Sequence, residues 1–544
     1  MAIFTRLHAG AHPDRTAFFS LHYLALFLPA CIFVYVLTPK KWKKYTLLAV
    51  SLGFYWLISG LYIGYLLASA ALVWALGLWI DRIYRRRNAD VKAAEKSERK
   101  AIKKAAQSRA RLVLTLGVVS HIGLIGVLKY SGFFLSNVNL LLGTTLPVPE
   151  FVKPLGLSFF ILQAVSYLVD VYREVIPADR NVGRITLFLC FFPQIVEGPI
   201  CRYGQTAEQL WNAGGISYVN LTMGLQRILY GLMKKLLVAD RLNPIVNGVF
   251  VCYEDYSGGI VFLGAVLYTI QLYMDFSGSM DAVLGTAQIF GIAMPENFRR
   301  PFFSRTVSEF WTRWHISLGT WFKDYIFYPV TMSGPMKSLT TAARKKLGNH
   351  FGPLVAGSIA LFCVWLSNGL WHGAAWTFVA FGMYHFCIIL TGNVIAPYTK
   401  ALNHRLNINP ERLPYRLAQT LRTCVLVVFG ELIFRANSMT DALAMLKGIF
   451  TRFRFSPGLI REELLMLLQA TECDAHDLKI VLFTVALVFV VSLLQERGLK
   501  IRESIQKKPL VLRWAIWYAL ILLIVIFGAY GVGYVPVDPM YANF

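Results

Sequence analysis

Charge is what this sequence has little of: Asp, Glu, Lys and Arg make up 15% of its 544 residues, and only 30 of those residues are acidic. A soluble domain carries nearer a quarter. With 56% hydrophobic residues and a mean hydropathy of +0.52, the chain must use lipid as part of its solvent. Cysteine is sparse too. Cys31, Cys190, Cys201, Cys252, Cys363, Cys387, Cys424 and Cys473 form no C-x-x-C pair, which argues against a zinc ribbon or a disulfide framework and leaves them as small apolar fillers. There is no G-x-S-x-G, no P-loop and no dinucleotide fingerprint, so the usual serine-hydrolase and nucleotide-driven chemistries are excluded. No internal repeat is visible, which weighs against an inverted-repeat transporter. Residues 1–18 lack the apolar core and cleavage site of a secretory signal, so the first crossing is expected to begin insertion itself.

What the sequence has in quantity is apolar runs. A helix needs roughly 20 apolar residues to cross a bilayer core. Such runs lie near 20–38, 45–60, 61–80, 112–130, 154–173, 257–275, 354–371, 374–396, 416–434, 478–494 and 512–532. They predict an all-α polytopic membrane protein of about eleven crossings, with re-entrant or interfacial helices between them and one membrane-embedded domain over 1–544. The formal charge of +24 is gathered in short loops. One such loop holds Lys40, Lys41, Lys43 and Lys44. The larger, 82–111, holds Arg85, Arg86, Arg87, Lys92, Lys96, Lys100, Lys103 and Lys104 among alanines and predicts a charged surface helix. Cations so placed set topology, and no nucleic acid is expected as a partner. The positive-inside rule puts both loops in the cytoplasm and the N-terminus outside. Phe188–Pro199 is apolar but short and carries Pro193, Glu197, Gly198 and Pro199. A re-entrant segment is predicted there, its backbone satisfied by protein or a wet cavity. Leu221–Val238 has the pattern of an amphipathic helix.

Ionisable groups inside a membrane protein are costly and mark function by default. Two regions hold most of them. The first contains Asp275 and, further on, Glu309 to Tyr325. At helical spacing Trp311, Trp314, Leu318, Trp321 and Tyr325 make one stripe, with Glu309, Arg313, Thr320 and Asp324 mainly opposite, and His315 falls on the aromatic side. An interfacial helix with an aromatic belt and a packed histidine has the same pattern. The second region is Asn368-Gly-Leu-Trp371-His372-Gly373-Ala-Ala-Trp376, where glycines allow a break and two indoles flank an imidazole. A neutral buried imidazole can serve as a general base, although a lone helix-packing histidine is the common alternative. A metal site from His315, His372 and His385 is not expected, because the spacings form no compact ligand motif.

Several segments resemble the membrane-bound O-acyltransferase family, in its bacterial branch of alginate-type O-acetyltransferases. They are Pro154-Leu-Gly-Leu-Ser-Phe-Phe, Ser166-Tyr-Leu-Val-Asp-Val-Tyr172, Phe191-Phe-Pro-Gln-Ile-Val-Glu-Gly-Pro199, Asp275-Phe-Ser-Gly, Pro295-Glu-Asn-Phe, Trp311 to Tyr325 and Leu370-Trp-His-Gly-Ala374, in order over 154–385. The resemblance implies a funnel-shaped multi-helix fold with its catalytic core in 154–385. It implies His372 as the histidine needed for activity and His315 as the second characteristic polar position. Asn368, Asp275, Trp314, Trp371, Arg313 and Tyr325 are the substrate-binding candidates. It further implies acetyl-coenzyme A as donor substrate without a resident cofactor, an extracytoplasmic polysaccharide as acceptor, an exported SGNH or esterase-like partner enzyme, and the bacterial cytoplasmic membrane as location. The segment Val330 to Lys337 and the intramembrane Glu431 depart from the alginate-type pattern. Peptidoglycan, cellulose, a secondary cell-wall polymer or teichoic acid therefore stay open as acceptors, the last with a D-alanyl donor. A transporter or export channel relaying protons through Asp275, His315 and Glu431 is the competing class, and a family member acylating a lipid or protein is a third.

Overall fold

The computed structural model describes residue 20 and residues 22–212, 214–454 and 456–530, and these form helices and turns with no strand among them. Among the described residues eight helical stretches are long and apolar enough to cross a membrane, and two shorter apolar helices accompany them. One of the eight, Lys40–Ala93, turns at Gly60, whose φ of 54° favours a residue without a side chain. It therefore supplies two of the expected crossings. Each run identified by hydropathy lies on one of these helices. The last two residues of 512–532, like the stretch 1–18, lie outside the described residues.

The described chain divides into two compact units. The first takes the residues up to Ile228 together with Met280–Pro295. It contains α1 (His22–Leu37), α2 (Lys43–Ser59), α3 (Ile63–Ala93), α4 (Arg99–Leu142), α5 (Leu157–Tyr172), α6 (Val182–Cys190) and α7 (Tyr203–Trp211). Helix α3 continues to Ala93 and α4 starts at Arg99. The basic segment 82–111 is thus the tip of a helical hairpin continuous with two apolar helices, not a separate surface helix. Deeper in the hairpin His121 joins the helices, its Nε2 2.8 Å from Ser69 Oγ and its Nδ1 2.7 Å from the Gly117 carbonyl. At Gly117 a Cβ would stand 2.5 Å from Leu168 Cδ1, so glycine lets α4 approach α5. After α6 the segment Phe191–Ile200 is non-helical and buried throughout. Several of its polar groups find protein partners: Gln194 Nε2 donates to the Phe188 carbonyl at 2.6 Å and the Phe192 N–H to Ser51 Oγ at 3.2 Å. Irregular backbone survives at such depth only with partners of this kind.

The second unit takes Leu229–Ser279 and the residues from Glu296 onward. Helix α8 (Tyr218–Lys234) begins in the first unit and enters this one at Leu229; with the turn Lys235–Ala239 that extends it, it covers the predicted amphipathic helix. Then come α9 (Asp240–Val251), α10 (Gly258–Ile289), whose residues from Met280 belong to the first unit, α11 (Val307–Arg313), α12 (Ile316–Phe322), α13 (Gly334–His372), α14 (Trp376–Arg405) and α15 (Leu413–Arg435). The last four helices are α16 (Met439–Thr451), α17 (Pro457–Ala470), α18 (Ala475–Glu496) and α19 (Leu510–Phe527). Helix α13 bends at Gly348, where φ is 77°. Its far end packs on α14 through glycines: a Cβ on Gly369 would stand 2.4 Å from the Phe378 carbonyl oxygen, and one on Gly382 2.3 Å from that of Trp365.

A second predicted element is corrected. Residues 309–325 do not form a continuous helix. Helix α11 ends at Arg313, His315 has φ 46° and ψ 51°, and α12 starts at Ile316. The left-handed backbone costs on the order of 1 kcal/mol for a residue with a Cβ, and it is held by pairing across a distant loop. The Ile316 N–H donates to the Asn297 carbonyl at 3.0 Å and the Arg299 N–H to the Arg313 carbonyl at 2.9 Å.

Candidate active site

Three elements of the second unit bring the candidate residues together. Helix α13 ends at His372 because Gly373 and the two alanines that follow it leave helical geometry before α14 begins at Trp376. Of the close backbone approach or local break that the glycines allow, the break falls at Gly373 and the close approach at Gly369. Asn368 lies one turn before His372 on the same face. Both are buried, at 8% and 3% exposure, and the Asn368 side-chain oxygen takes no hydrogen bond among the described residues. An unsatisfied buried acceptor is costly, so it suits a position where a substrate donor enters.

The His372 ring is walled by aromatics. Phe434 of α15 lies 5.1 Å away between centroids, Phe381 of α14 6.0 Å and Trp371 4.9 Å, each edge-on. Trp371 in turn faces His315 at 5.7 Å, and Phe276 of α10 covers His315 from another side at 4.8 Å. One indole therefore touches both histidines. Asn297 Oδ1 lies 3.3 Å from His315 Nδ1 and accepts the Ser317 N–H at 2.9 Å. Burial holds the His315 imidazole neutral, its pKa down to about 3.

The other candidates make different contacts. Trp314 is buried in the same aromatic wall, stacked 5.5 Å from Phe310 and edge-on to Phe298, which also meets Phe276. Arg313 is half-buried and committed to Glu309 at 2.7 Å and Glu496 at 3.0 Å. Tyr325 packs on Trp321 at 5.1 Å. Asp275 is buried but not presented alone: Lys235 Nζ lies 2.7 Å from it and 2.9 Å from Asp240. Breaking a buried pair of this kind costs about 3–5 kcal/mol, which gives all three residues a structural reason to be there. His385, fully buried, shares the Phe381 ring with His372, at 4.7 and 6.0 Å between centroids. Its Nδ1 accepts the Trp311 indole N–H at 3.3 Å, and Trp365 stacks on it at 5.2 Å. Among the described residues no three His, Cys, Asp or Glu side chains converge as a metal site would require.

Sequence reasoning did not single out Phe381 and Phe434, which line the His372 ring from α14 and α15. Nor did it assign a role to Asn297, although the residue stands in the Pro295–Phe298 segment already noted. Its eighteen-residue separation from His315 gives no periodic signal.

An integral membrane protein with a buried, aromatic-walled pair of histidines is the class that fold and site define. A model of the family described as "MBOAT, membrane-bound O-acyltransferase family" matches residues 179–343. The "Probable alginate O-acetylase AlgI" of Azotobacter vinelandii is 32% identical over 79% of this chain and 77% of its own length. The "Peptidoglycan O-acetyltransferase" of Helicobacter pylori is 29% identical over 62% of this chain and 64% of its own. The "Teichoic acid D-alanyltransferase" of Bacillus subtilis is 27% identical over 47% and 62%. The chain belongs to the membrane-bound O-acyltransferase family, in the branch similar to the alginate O-acetylases, and is an O-acyltransferase.

Proposed function

We propose that this enzyme moves an acetyl group from cytoplasmic acetyl-coenzyme A onto hydroxyls of an extracytoplasmic polysaccharide in the cytoplasmic membrane of a bacterium. The observation that carries the chemistry is the last turn of α13. There a buried imidazole and a buried amide oxygen without a partner share one face. In the proposed step His372 takes the proton of the attacking hydroxyl as the oxygen adds to the thioester carbonyl. The C–S bond then breaks, and the imidazolium returns the proton to the leaving thiolate. Base catalysis of this kind is worth roughly 10²–10⁴ in rate. Asn368 accepts a hydrogen bond from an N–H or O–H of a reactant, and His315 hydrogen-bonds a reactant from the other side of Trp371.

The names of the alginate and peptidoglycan relatives support an acetyl donor and a glycan acceptor. The excess of cations supports a cytoplasmic face that attracts the donor's phosphates. An exported esterase-like enzyme is a proposed partner. The experiment is to reconstitute the protein in liposomes with radiolabelled acetyl-coenzyme A and peptidoglycan or alginate fragments. Thioester consumption with label on the glycan supports the proposal. Glycan or acetate crossing the bilayer with the thioester intact would establish the transporter reading instead.

A further inference from the structure

The contacts around His315 contain a constraint that fixes where its proton sits. The Ser317 backbone N–H can only donate, and it lies 2.9 Å from one side-chain atom of Asn297. That atom must be the amide oxygen, which decides the orientation of the side chain without reference to any ambiguous partner. The same oxygen lies 3.3 Å from His315 Nδ1. An oxygen acceptor calls for a proton on that nitrogen, so Nδ1 carries N–H and Nε2 is left as the bare, accepting nitrogen. The backbone reinforces the arrangement: the Asn297 carbonyl accepts the Ile316 N–H at 3.0 Å, and the left-handed turn at His315 aims its ring beside that residue.

We propose that Asn297 is a positioning residue that locks His315 in the Nδ1–H tautomer, so that its Nε2 accepts a hydrogen bond from a hydroxyl or amide N–H of a reactant and cannot donate to the oxyanion. The proposal rests on the acyltransfer reading and narrows it. The catalytic role it leaves to His315 is to orient a substrate donor, while stabilisation of the developing oxyanion falls to other donors. Phe276 faces the ring from α10, Trp371 from α13 and Asn297 from the preceding loop; the titratable group next along these contacts is His372, against Trp371.

The test reads the tautomer and the chemistry separately. Protein labelled with ¹⁵N-histidine and reconstituted in nanodiscs is compared with the His315→Gln variant to assign the His315 nitrogens. The expected spectrum shows a protonated Nδ1 and an unprotonated Nε2 at neutral pH. Asn297→Ala is expected to mix the tautomers and to lower acetyl transfer from acetyl-coenzyme A by at least ~10-fold, as loss of a tautomer lock does elsewhere. Asn297→Asp keeps an oxygen in the same place. It is expected to retain the tautomer, restore part of the transfer and move the acid limb of the pH profile upward, because the new carboxylate favours the protonated ring. An Nε2–H tautomer in the unaltered protein overturns the proposal, and so does an Asn297→Ala protein with unchanged tautomer and transfer. Should Asn297→Ala fail to fold, the unaltered spectrum and Asn297→Asp still decide. If the tautomer is as stated but His315→Gln transfers at full rate, the role in acyl transfer fails while the lock stands. If the tautomer is wrong but His372→Ala is inactive, the acyltransfer reading survives alone.

Discussion

At the scale of single residues the candidate centre buries His315 among aromatic rings. Burial takes His315 down to about 3, from an ordinary value of ~6.5. Between those values the unfolded chain binds a proton that the folded chain does not. The stability tied to this residue is therefore complete above about pH 6.5 and is lost as pH falls toward about 3. The unfolding temperature of the protein in nanodiscs should drop less between about pH 7 and about pH 5 in His315→Gln than in the unaltered protein. Parallel pH slopes for the two would contradict the burial argument. The identity of His372 and His315 as the notable histidines was legible in the sequence because each stands among indoles in a long apolar region. Their connection through Trp371 was not legible, since it joins residues from two chain segments more than fifty positions apart.

At the scale of elements, α13 and α14 place His372 by approaching closely at Gly369 and Gly382, where a Cβ would meet backbone oxygen at 2.4 and 2.3 Å. Backbone cannot yield as a flexible side chain can. Gly382→Ala is expected to destabilise the protein by about 1–3 kcal/mol and to lower transfer by shifting the end of α13. Gly357→Ala, in open space on the same helix, should leave both unchanged. Thermal unfolding and transfer rates of the two variants check this, and equal behaviour would refute the seam. The helices themselves were legible because a run of apolar residues has few other stable forms in lipid. The break between α11 and α12 was not, because Trp314, His315 and Ile316 carry no glycine or proline. It is imposed by the Asn297 loop, a tertiary effect that outweighs local preference.

At the scale of the whole molecule the surplus of cations is the most visible property of the sequence, and its largest concentration forms the tip of the α3–α4 hairpin. If these charges gather the donor's phosphates, replacing the exposed Arg86, Lys100, Lys103 and Lys104 by Gln should raise KM for acetyl-coenzyme A several-fold, roughly, at low ionic strength and leave kcat unchanged. The difference should shrink toward about 0.5 M salt as screening shortens the reach of the charges. A KM that does not respond to either change would show that the hairpin serves topology alone. The family was legible from collinear segments over 154–385. The division of the described chain into two compact units was not, because the units exchange segments at Ile228, Ser279 and Pro295 without any change in composition.

The most direct measurement of the central claim is transfer of label from radiolabelled acetyl-coenzyme A by reconstituted His372→Ala beside the unaltered protein, with elution volume and unfolding temperature recorded for both. The account predicts loss of transfer to background in a variant that elutes and unfolds like the original. Transfer retained within a few-fold of the original by a well-folded variant would contradict it, and the base would have to be sought elsewhere.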